Sequence, residues 1–272
     1  MPVAEDMVVG FVGAGNMAEA IIRGLIAAGK PPAELAVSDV RSERLELFSS
    51  LGLAAFASNR HLAARAQVLV LAVKPQVMPA VLQELRGEVD EETLLVSIAA
   101  GVATAFIEGA FPRPVRVVRV MPNTPLLVGR GVSALVAGRH LRPGDLELAA
   151  GIFRASGRVV ILEDEALMDA VTAVSGSGPA YVFYLMEAMI DAARQMGMDD
   201  EIARRLVVQT VKGAGMLCEA RGCSPEELRA AVTSKGGTTA AALLALTEAK
   251  VFQNLVAAIK AAHRRAEELA GR

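Results

Sequence analysis

The chain has 272 residues, with 28 Lys and Arg against 30 Asp and Glu and a formal net charge of -2. This near-neutral balance argues against a general nucleic-acid binder, which usually carries a basic excess or stripe. Apolar residues make up 53% of the chain and charged residues 21%. This composition argues against disorder, and the length allows the core to split into two domains.

Cysteine content and hydropathy bear on the compartment. Cys218 and Cys223 are too few for a disulfide framework, and no histidine lies near them in the sequence. We therefore expect reduced thiols and no metal site. The longest stretch without a charged residue, 170–186, is interrupted by Gly-Ser-Gly-Pro, which argues against a membrane span. We predict a cytoplasmic protein that does not bind membranes.

The first half of the chain alternates short apolar runs with helical stretches. These runs lack polar alternation, which is typical of strands in a parallel sheet covered on both faces. The alternation predicts a doubly wound, Rossmann-type α/β domain over residues 1–163. The predicted strands are Val8–Val12, Leu35–Val37, Val68–Ala72, Leu94–Ile98, Val115–Met121 and Val132–Ala137.

The second half shows only helical patterning, which predicts an all-helical domain over residues 164–272. The predicted helices are Ala180–Met196, Asp199–Arg221, one that begins at Ser224 and Pro225, Ala240–Leu246 and Lys250–Leu269. They are apolar on more faces than a monomer of this size needs, so we predict that two copies pack together through this domain.

A glycine-rich turn follows the first predicted strand and opens a helix. Residues 13–18 are Gly-Ala-Gly-Asn-Met-Ala, the pattern of a dinucleotide-binding turn in its expected place. The glycines allow a tight turn and a close approach to a pyrophosphate, and the helix N-terminus offers N–H groups. The predicted cofactor contacts here are Gly13, Ala14, Gly15, Asn16 and Met17.

The end of the second strand carries residues that indicate different cofactors. Asp39, preceded by Ser38, is placed to accept hydrogen bonds from the ribose diol of NAD, whereas Arg41 could meet the 2′-phosphate of NADP. The structural alternative is a turn aspartate beside a solvated arginine. The choice between NADH and NADPH therefore stays open at this point.

Two more segments follow predicted strands at the edge where doubly wound sheets bind ligands. Ala72, Val73 and Lys74 close one strand, and Lys74 is either a cofactor contact or a surface residue. Asn123 lies in a loop stiffened by two prolines, which is either the wall of a nicotinamide pocket or a purely structural loop.

Ser177 lies in a Ser-Gly-Ser-Gly-Pro segment at the start of the first long helix of the second half. It could cap that helix or bind an anion, whereas a hydrolase nucleophile would need a histidine and an acid. His61, His140 and His263 lie in polar surroundings typical of surface residues. Their scarcity also argues against a histidine-dependent hydroxy-acid dehydrogenase.

The segment 233–239, Thr-Ser-Lys-Gly-Gly-Thr-Thr, leads into another predicted helix. Adjacent N–H groups of Gly236 and Gly237 at a helix start form a nest suited to a carboxylate, and Ser234, Thr238 and Thr239 add hydroxyl donors. An ordinary flexible helix cap is the structural alternative.

Together these segments resemble the pyrroline-5-carboxylate reductases over nearly the whole chain. The resemblance rests on the glycine-rich turn, Ala72–Pro75, Ser97–Val102, Met121–Pro125, Ser175–Tyr181 and Thr233–Thr239, which occur in the family's order. It implies reduction of 1-pyrroline-5-carboxylate to L-proline by NADPH or NADH, the last step of proline biosynthesis. It further implies a homodimer, in some members built into larger rings, with the active site between subunits.

The resemblance also implies roles for individual residues. Thr239 would act on the ring nitrogen as the catalytic side chain. The implied substrate contacts are Ser234, Gly236, Gly237, Thr238, Thr239, Glu165 and Ser177, and the further implied cofactor contacts are Ser38, Asn59, Val73 and Ala99. Two positions depart from the family pattern: Lys235 replaces a proline, and Asp39 replaces a small hydroxyl residue frequent in NADPH-preferring members. We therefore predict that NADH is used at least comparably with NADPH.

Two other functions compete with this interpretation. Another dehydrogenase of the same architecture, acting on a 3-hydroxy acid, would need a base, for which Lys212 is the candidate. A dinucleotide-binding or dimerisation module without activity would keep the glycine-rich turn but would have no use for the nest at residues 236–239.

Overall fold

The computed structural model describes residues 7–271, and the chain forms two units. The first unit runs to Ser177 and includes the chain from Ala262 onward, and the second unit is Gly178–Ala261. The outermost residues of the two predicted domains, 1–6 and 272, lie outside the described residues. The division into domains at residue 163 stays a proposal.

The first unit is built on an eight-stranded sheet of order β3-β2-β1-β4-β5-β6-β7-β8. Strands β1 to β6 are parallel, β7 runs antiparallel to β6, and β8 is parallel to β7. The strands are β1 Val9–Val12, β2 Leu35–Ser38, β3 Ala54–Phe56, β4 Val68–Leu71, β5 Leu94–Ser97, β6 Arg116–Pro122, β7 Gly131–Ala137 and β8 Gly157–Leu162.

All six predicted strands are present with shifted ends, while β3 and β8 were not predicted. The expectation of parallel strands is wrong for β7. The link from β6 to β7 contains only a short 3-10 turn, Thr124–Val128. A parallel pair needs a crossover of roughly a dozen residues or more, so this short link leaves only the antiparallel arrangement.

Helices cover both faces of the sheet. They are α1 Asn16–Ala27, α2 Ser42–Ser50, α3 Asn59–Ala63, α4 Met78–Leu85, α5 Thr104–Gly109, α6 Asp145–Arg154 and α7 Met168–Val171, which continues as a π-helical segment, Thr172–Gly176. Alternate residues of β4 belong to different core clusters. Val68 and Val70 pack with Ile21 of α1, whereas Leu69 packs with Leu82 of α4. The doubly wound fold is thereby confirmed.

The second unit is helical throughout its described length, as predicted. Its helices are α8 Gly178–Gln195, α9 Asp200–Arg221, α10 Pro225–Ala231, α11 Thr238–Glu248 and the greater part of α12 Val251–Leu269. Local signals fix the ends: Asp199 caps α9, Gly222 with φ of 62° ends it, and Ser224 and Glu227 form a capping box on α10.

The helices of this unit leave large apolar side chains exposed in the single chain. Phe183, Tyr184 and Phe252 are 57%, 76% and 71% exposed. Surface of this kind is typical of an interface. Within residues 7–271 no one helix has both the length and the apolar character to span a membrane; α11 and α12, bent by 55°, meet that test only as a pair, by length and composition.

Candidate active site

The turn between β1 and α1 brings backbone close to where a ligand would lie. Gly13 has φ of +93°, and a Cβ on it would lie 2.8 Å from the carbonyl oxygen of Ala72. Any other residue would strain the backbone and clash with that carbonyl, so glycine is required here. Gly15 directly precedes α1, and apart from Gly15 and its chain neighbours no described atom lies within 4 Å of the place a Cβ would take. The backbone there is open to a ligand.

The N-terminus of α1 offers donors to an anion. No side chain of the described chain caps its first turn, so the first N–H groups lack a side-chain acceptor. The turn follows β1 beside β4, where the strand order reverses and doubly wound sheets bind ligands. These features fit the pyrophosphate of a dinucleotide. Residues 13–17 lie at this switch point, and their contacts with the cofactor stay predictions.

Asp39 and Arg41 form a pair at the end of β2. Nε of Arg41 donates to Oδ1 of Asp39 at 2.9 Å, and Nη2 donates to Oδ2 at 3.0 Å. The N–H of Ala14 also donates to Oδ2, at 2.8 Å. Burial disfavours the charged carboxylate, but these hydrogen bonds outweigh it and lower the pKa of Asp39 to about 2. Asp39 is therefore ionised and already engaged by Arg41, so the two residues predicted to favour different cofactors act on each other.

Ser38 and Asn59 also contact each other near the end of β2. The Ser38 hydroxyl donates to Oδ1 of Asn59 at 2.7 Å, and Nδ2 of Asn59 donates to Glu84 at 2.8 Å. The amide thus links β2 to α4. Glu84 was not singled out from the sequence, and the predicted contacts of Ser38 and Asn59 with the cofactor stay predictions.

The predicted contacts after β4 and β5 lie at the carboxyl ends of these strands. A Cβ on Gly13 would come within 2.9 Å of Cγ1 of Val73, so Ala72 and Val73 line the glycine turn. Lys74 is exposed. Ala99 is only 4% exposed and belongs to the core beside α4, so a contact of Ala99 with a cofactor would use its backbone.

Asn123 directly follows β6, and Ser177 directly precedes α8. The amide of Asn123 donates weakly to the carbonyl oxygen of Ser175, at 3.4 Å, and accepts from the N–H of Val132 at 2.9 Å. The N–H of Ser177 donates to the carbonyl oxygen of Thr172 at 2.9 Å. Asn123 therefore holds the proline loop in place, whichever of its two predicted roles applies.

Glu165 is the centre of a buried polar cluster. It accepts hydrogen bonds from the N–H of Thr104 at 2.9 Å and from its hydroxyl at 2.6 Å, and it pairs with Arg119 at 3.0 Å. Burial disfavours ionisation of Glu165, but the donors Thr104 and Arg119 outweigh it and lower its pKa. Glu165 thus caps α5 from a distant part of the chain. Arg119 was missed, although an arginine within an apolar strand is a signal of a buried ion pair.

The predicted carboxylate nest opens α11 in the second unit. Gly236 has φ of +73°, and the N–H of Gly237 donates to the carbonyl oxygen of Ser234 at 3.1 Å. The positive φ favours glycine at position 236, whereas a Cβ on Gly237 would lie 2.5 Å from the Ser234 hydroxyl oxygen and would displace that side chain. Thr238 and Thr239 form the first two positions of α11, which has no side-chain cap within the described chain. This N-terminus fits a carboxylate; Lys235 is exposed beside it.

The residues needed by the competing chemistries lie at the surface. Lys212, the candidate base of a 3-hydroxy-acid dehydrogenase, is exposed on α9. His61 and His140 are also exposed, and Nδ1 of His263 lies 3.8 Å from the carboxylate of Glu267. Among the described residues, no group of three or more His, Cys, Asp or Glu side chains is placed to hold a metal ion.

The doubly wound sheet and its glycine turn define a dinucleotide-binding protein. Residues 8–101 match the family model described as NADP oxidoreductase coenzyme F420-dependent, and residues 165–269 match pyrroline-5-carboxylate reductase dimerisation. The chain belongs to the pyrroline-5-carboxylate reductase family.

Individual relatives support this assignment over nearly the full length. The chain is 45% identical over 264 residues to the pyrroline-5-carboxylate reductase of Pseudomonas aeruginosa, covering 96% of both chains. It is 41% identical over 266 residues to that of Haemophilus influenzae, covering 97% of this chain and 98% of the relative.

Solved structures agree. The reductase of Coxiella burnetii superposes with a TM-score of 0.91 at 39% identity, covering 97% of this chain and 98% of the other. The Plasmodium falciparum enzyme, with NADP bound, gives 0.88 at 29% identity and coverage of 98% and 99%. The family predicted from the motifs is thereby confirmed, and so is the use of a nicotinamide dinucleotide.

Proposed function

We propose that the protein reduces 1-pyrroline-5-carboxylate to L-proline with NADH or NADPH, as the last step of proline biosynthesis. The observation that carries this proposal is the Gly236–Gly237 turn at the uncapped N-terminus of α11. This turn suits the carboxylate of a small amino-acid-like substrate, and a dinucleotide-binding module without activity would have no use for it.

The chain's own residues bind and orient the two reactants. The glycine turn at residues 13–17 holds the pyrophosphate through backbone N–H groups, and the cofactor, once bound, supplies a hydride. The N–H of Gly236 and the uncapped N-terminus of α11, with the hydroxyls of Ser234 and Thr238, hold the substrate carboxylate, while the N–H of Gly237 closes the turn onto the Ser234 carbonyl. Such positioning of the reactants can supply several kcal/mol, on the order of 7 in well-oriented cases.

The reaction needs no strong catalytic acid. The substrate ring nitrogen is protonated, so the neighbouring carbon is already electrophilic and the proton stays on nitrogen when that carbon accepts hydride. The Thr239 hydroxyl accepts a hydrogen bond from the charged N–H and, as the amine forms, donates to its lone pair. A hydroxyl serves both states because it is donor and acceptor at once.

The test is a coupled measurement of cofactor loss and proline formation. The protein is incubated with 1-pyrroline-5-carboxylate and either NADH or NADPH, and the absorbance of the reduced nicotinamide is followed. We expect consumption only when substrate is present, with one proline formed per cofactor oxidised. The absence of substrate-dependent oxidation with both cofactors would refute the proposal.

We further propose that residues 164–272 form the substrate-binding and dimerisation domain of a cytoplasmic homodimer, which can assemble into a larger ring. Support for the dimer comes from the exposed apolar side chains of α8 and α12. Support for the boundary comes from the dimerisation match, which begins at residue 165. The free thiols of Cys218 and Cys223 are consistent with a reducing compartment.

A further inference from the structure

We propose that Arg44 is a positioning residue of the dinucleotide site, which acts through the peptide between Ala14 and Gly15. Arg44 lies in the first turn of α2, with its side chain only 16% exposed. Its Nε donates to the carbonyl oxygen of Ala14 at 2.6 Å, and its Nη2 donates to Glu19 at 2.7 Å. The ring of Phe48 supports the guanidinium, with 5.3 Å between its centroid and Cζ.

These contacts fix the guanidinium from three sides. Glu19 belongs to α1, Phe48 to α2, and the Ala14 carbonyl to the glycine turn. A planar guanidinium held by a carboxylate and an aromatic ring keeps its Nε–H in one direction. The side chain therefore holds the turn against α1 and α2.

The geometry of the peptide bond transmits this hold to a donor of the predicted phosphate site. The described chain has no cis peptide bond, so the carbonyl of Ala14 and the N–H of Gly15 point in opposite directions from one plane. Fixing the carbonyl toward Arg44 directs the Gly15 N–H away from it. The place of a Cβ on Gly15 is open to 4 Å, which leaves room for a ligand at this residue.

Asp39 completes the arrangement from the other side of Ala14. Asp39 accepts a hydrogen bond from the N–H of Ala14 at 2.8 Å, while Arg44 donates to the carbonyl oxygen of the same residue. The two peptide groups that flank Ala14 are therefore held by side chains of opposite charge. A charged donor on the carbonyl also polarises the peptide and strengthens the Gly15 N–H as a donor. Arg44 thus sets both the direction and the strength of that N–H.

Arg44 shares the carboxylate of Glu19 with Arg23. The hydrogen bond from Arg44 lowers the pKa of Glu19, and Arg23 holds the other carboxylate oxygen at 2.8 Å. The guanidinium of Arg44 is already bonded to the Ala14 carbonyl and to the ionised Glu19, so Arg44 works by orienting the peptide rather than by binding phosphate itself. This inference rests on the proposed function, which places the pyrophosphate at this turn.

The test compares Arg44→Ala with the matched control Arg23→Ala, which removes the other partner of Glu19 but leaves Ala14 untouched. NADH and NADPH share the pyrophosphate, so Arg44→Ala should raise KM for both by the same factor, roughly 10-fold, with kcat within about twofold and the substrate KM unchanged. A fluorescence titration of NADH should show the same loss of affinity. Arg23→Ala should match the parent.

Arg44→Lys provides a second variant, because lysine keeps the charge but presents a single donor group without the planar fork. We expect an intermediate KM for both cofactors. A KM increase confined to NADPH would make Arg44 a ligand of the 2′-phosphate and overturn the inference. Unchanged cofactor affinity in Arg44→Ala would also overturn it. A general structural defect would overturn it too: a lower kcat, a higher KM for substrate and cofactor alike and a lower melting temperature, none of them restored in Arg44→Lys.

The titration separates this inference from the proposed function. A parent protein that oxidises cofactor with 1-pyrroline-5-carboxylate, beside an Arg44→Ala variant of equal affinity, would overturn the positioning role alone. A parent that binds neither NADH nor NADPH would overturn both.

Discussion

At the scale of single residues, Asp39 serves two purposes with one carboxylate. It holds the N–H of Ala14 and it holds Arg41 beside the expected adenosine site. A 2′-phosphate bound there would meet the negative charge of Asp39, whereas a free ribose diol would take the place of Arg41 as a donor to that carboxylate. The pair therefore makes the choice between NADH and NADPH a competition between the two side chains rather than the property of one.

Replacing Asp39 by serine should shift that competition. Asp39→Ser removes the repulsion and releases Arg41, so the ratio of kcat/KM values should move toward NADPH by about 10-fold, or roughly 1–2 kcal/mol for a partly exposed charged contact. Arg41→Ala should move the ratio the other way. A rise in KM common to both cofactors would report only the lost bond to Ala14. An unchanged ratio in Asp39→Ser, or a ratio that moves toward NADH, would contradict the assignment.

The low pKa of Asp39 also predicts a loss of stability in acid. Its pKa is about 2 in the folded chain against an ordinary value of 3.8, so in this window the unfolded chain binds more protons. The stabilisation is complete above about pH 4 and disappears as the pH falls toward 2; it amounts to at most about 2 kcal/mol. Urea unfolding at fixed protein concentration should show that Asp39→Asn is destabilised at neutral pH and matches the parent near pH 2. A difference independent of pH would contradict this.

Thr239 is predicted to act on the imine. Thr239→Ala removes the hydroxyl that contacts the charged nitrogen and donates to its lone pair as the lone pair forms during hydride transfer. Turnover should fall by roughly 10–100-fold, which corresponds to about 1.5–3 kcal/mol for a bond to a charged group. Cofactor affinity should be unchanged, and Thr239→Ser should keep most of the activity because it keeps the hydroxyl. Parental turnover in Thr239→Ala would assign the role to another residue.

At the scale of elements, the β1–α1 turn depends on Gly13. Gly13→Ala adds a left-handed strain and places a Cβ against the Ala72 carbonyl, so both the melting temperature and the cofactor affinity should fall. Gly29 is the matched control, because its φ of +96° is similar but, apart from Gly29 and its chain neighbours, no described atom lies within 4 Å of its Cβ position. Gly29→Ala should lower the free energy of unfolding by the backbone strain alone, about 1–2 kcal/mol, and should leave cofactor affinity unchanged. Equal effects of the two changes on cofactor affinity would refute the steric argument.

Elements marked by local chemistry could be predicted from the sequence. Asp199, Ser224 and Gly222 each fix a helix end within a few residues of themselves, and the glycine turn combines a strand, a turn and a helix in one short segment. Strand β3 is short and half-buried, and β8 lies at the edge of the sheet. Neither is a fully buried apolar run, which explains why both were missed.

Contacts between distant segments leave no periodic mark in the sequence. Arg44 lies 30 residues from Ala14, and Glu165 lies 61 residues from Thr104. The direction of β7 was misjudged for a related reason, because apolar runs report burial but not orientation. The candidate site was therefore predicted at its glycine turns, whereas the side chains that hold those turns became visible only in the fold.

At the scale of the whole molecule, the second unit differs from the first in how it uses its apolar residues. The first unit buries its aliphatic side chains in clusters on both faces of the sheet. In the second unit the buried apolar residues are small or few, Ala193, Ala203 and Val207, while many large ones are exposed. A helical unit with this distribution gains its stability by covering the exposed surface with a partner.

We therefore predict that the protein is an obligate dimer through its helical region. Sedimentation at low micromolar concentration should show a dimer or a multiple of it, and the melting temperature should rise with protein concentration, because association stabilises only the folded chain. Phe252→Glu should weaken assembly and lower the melting temperature, since burying a charge in an apolar interface is costly. Arg205→Glu, at a site with 80% of the side chain exposed, is a control for the added charge and should behave like the parent. A stable monomer with full activity at that concentration would contradict the prediction and leave the exposed apolar surface of α8 and α12 without a role in assembly.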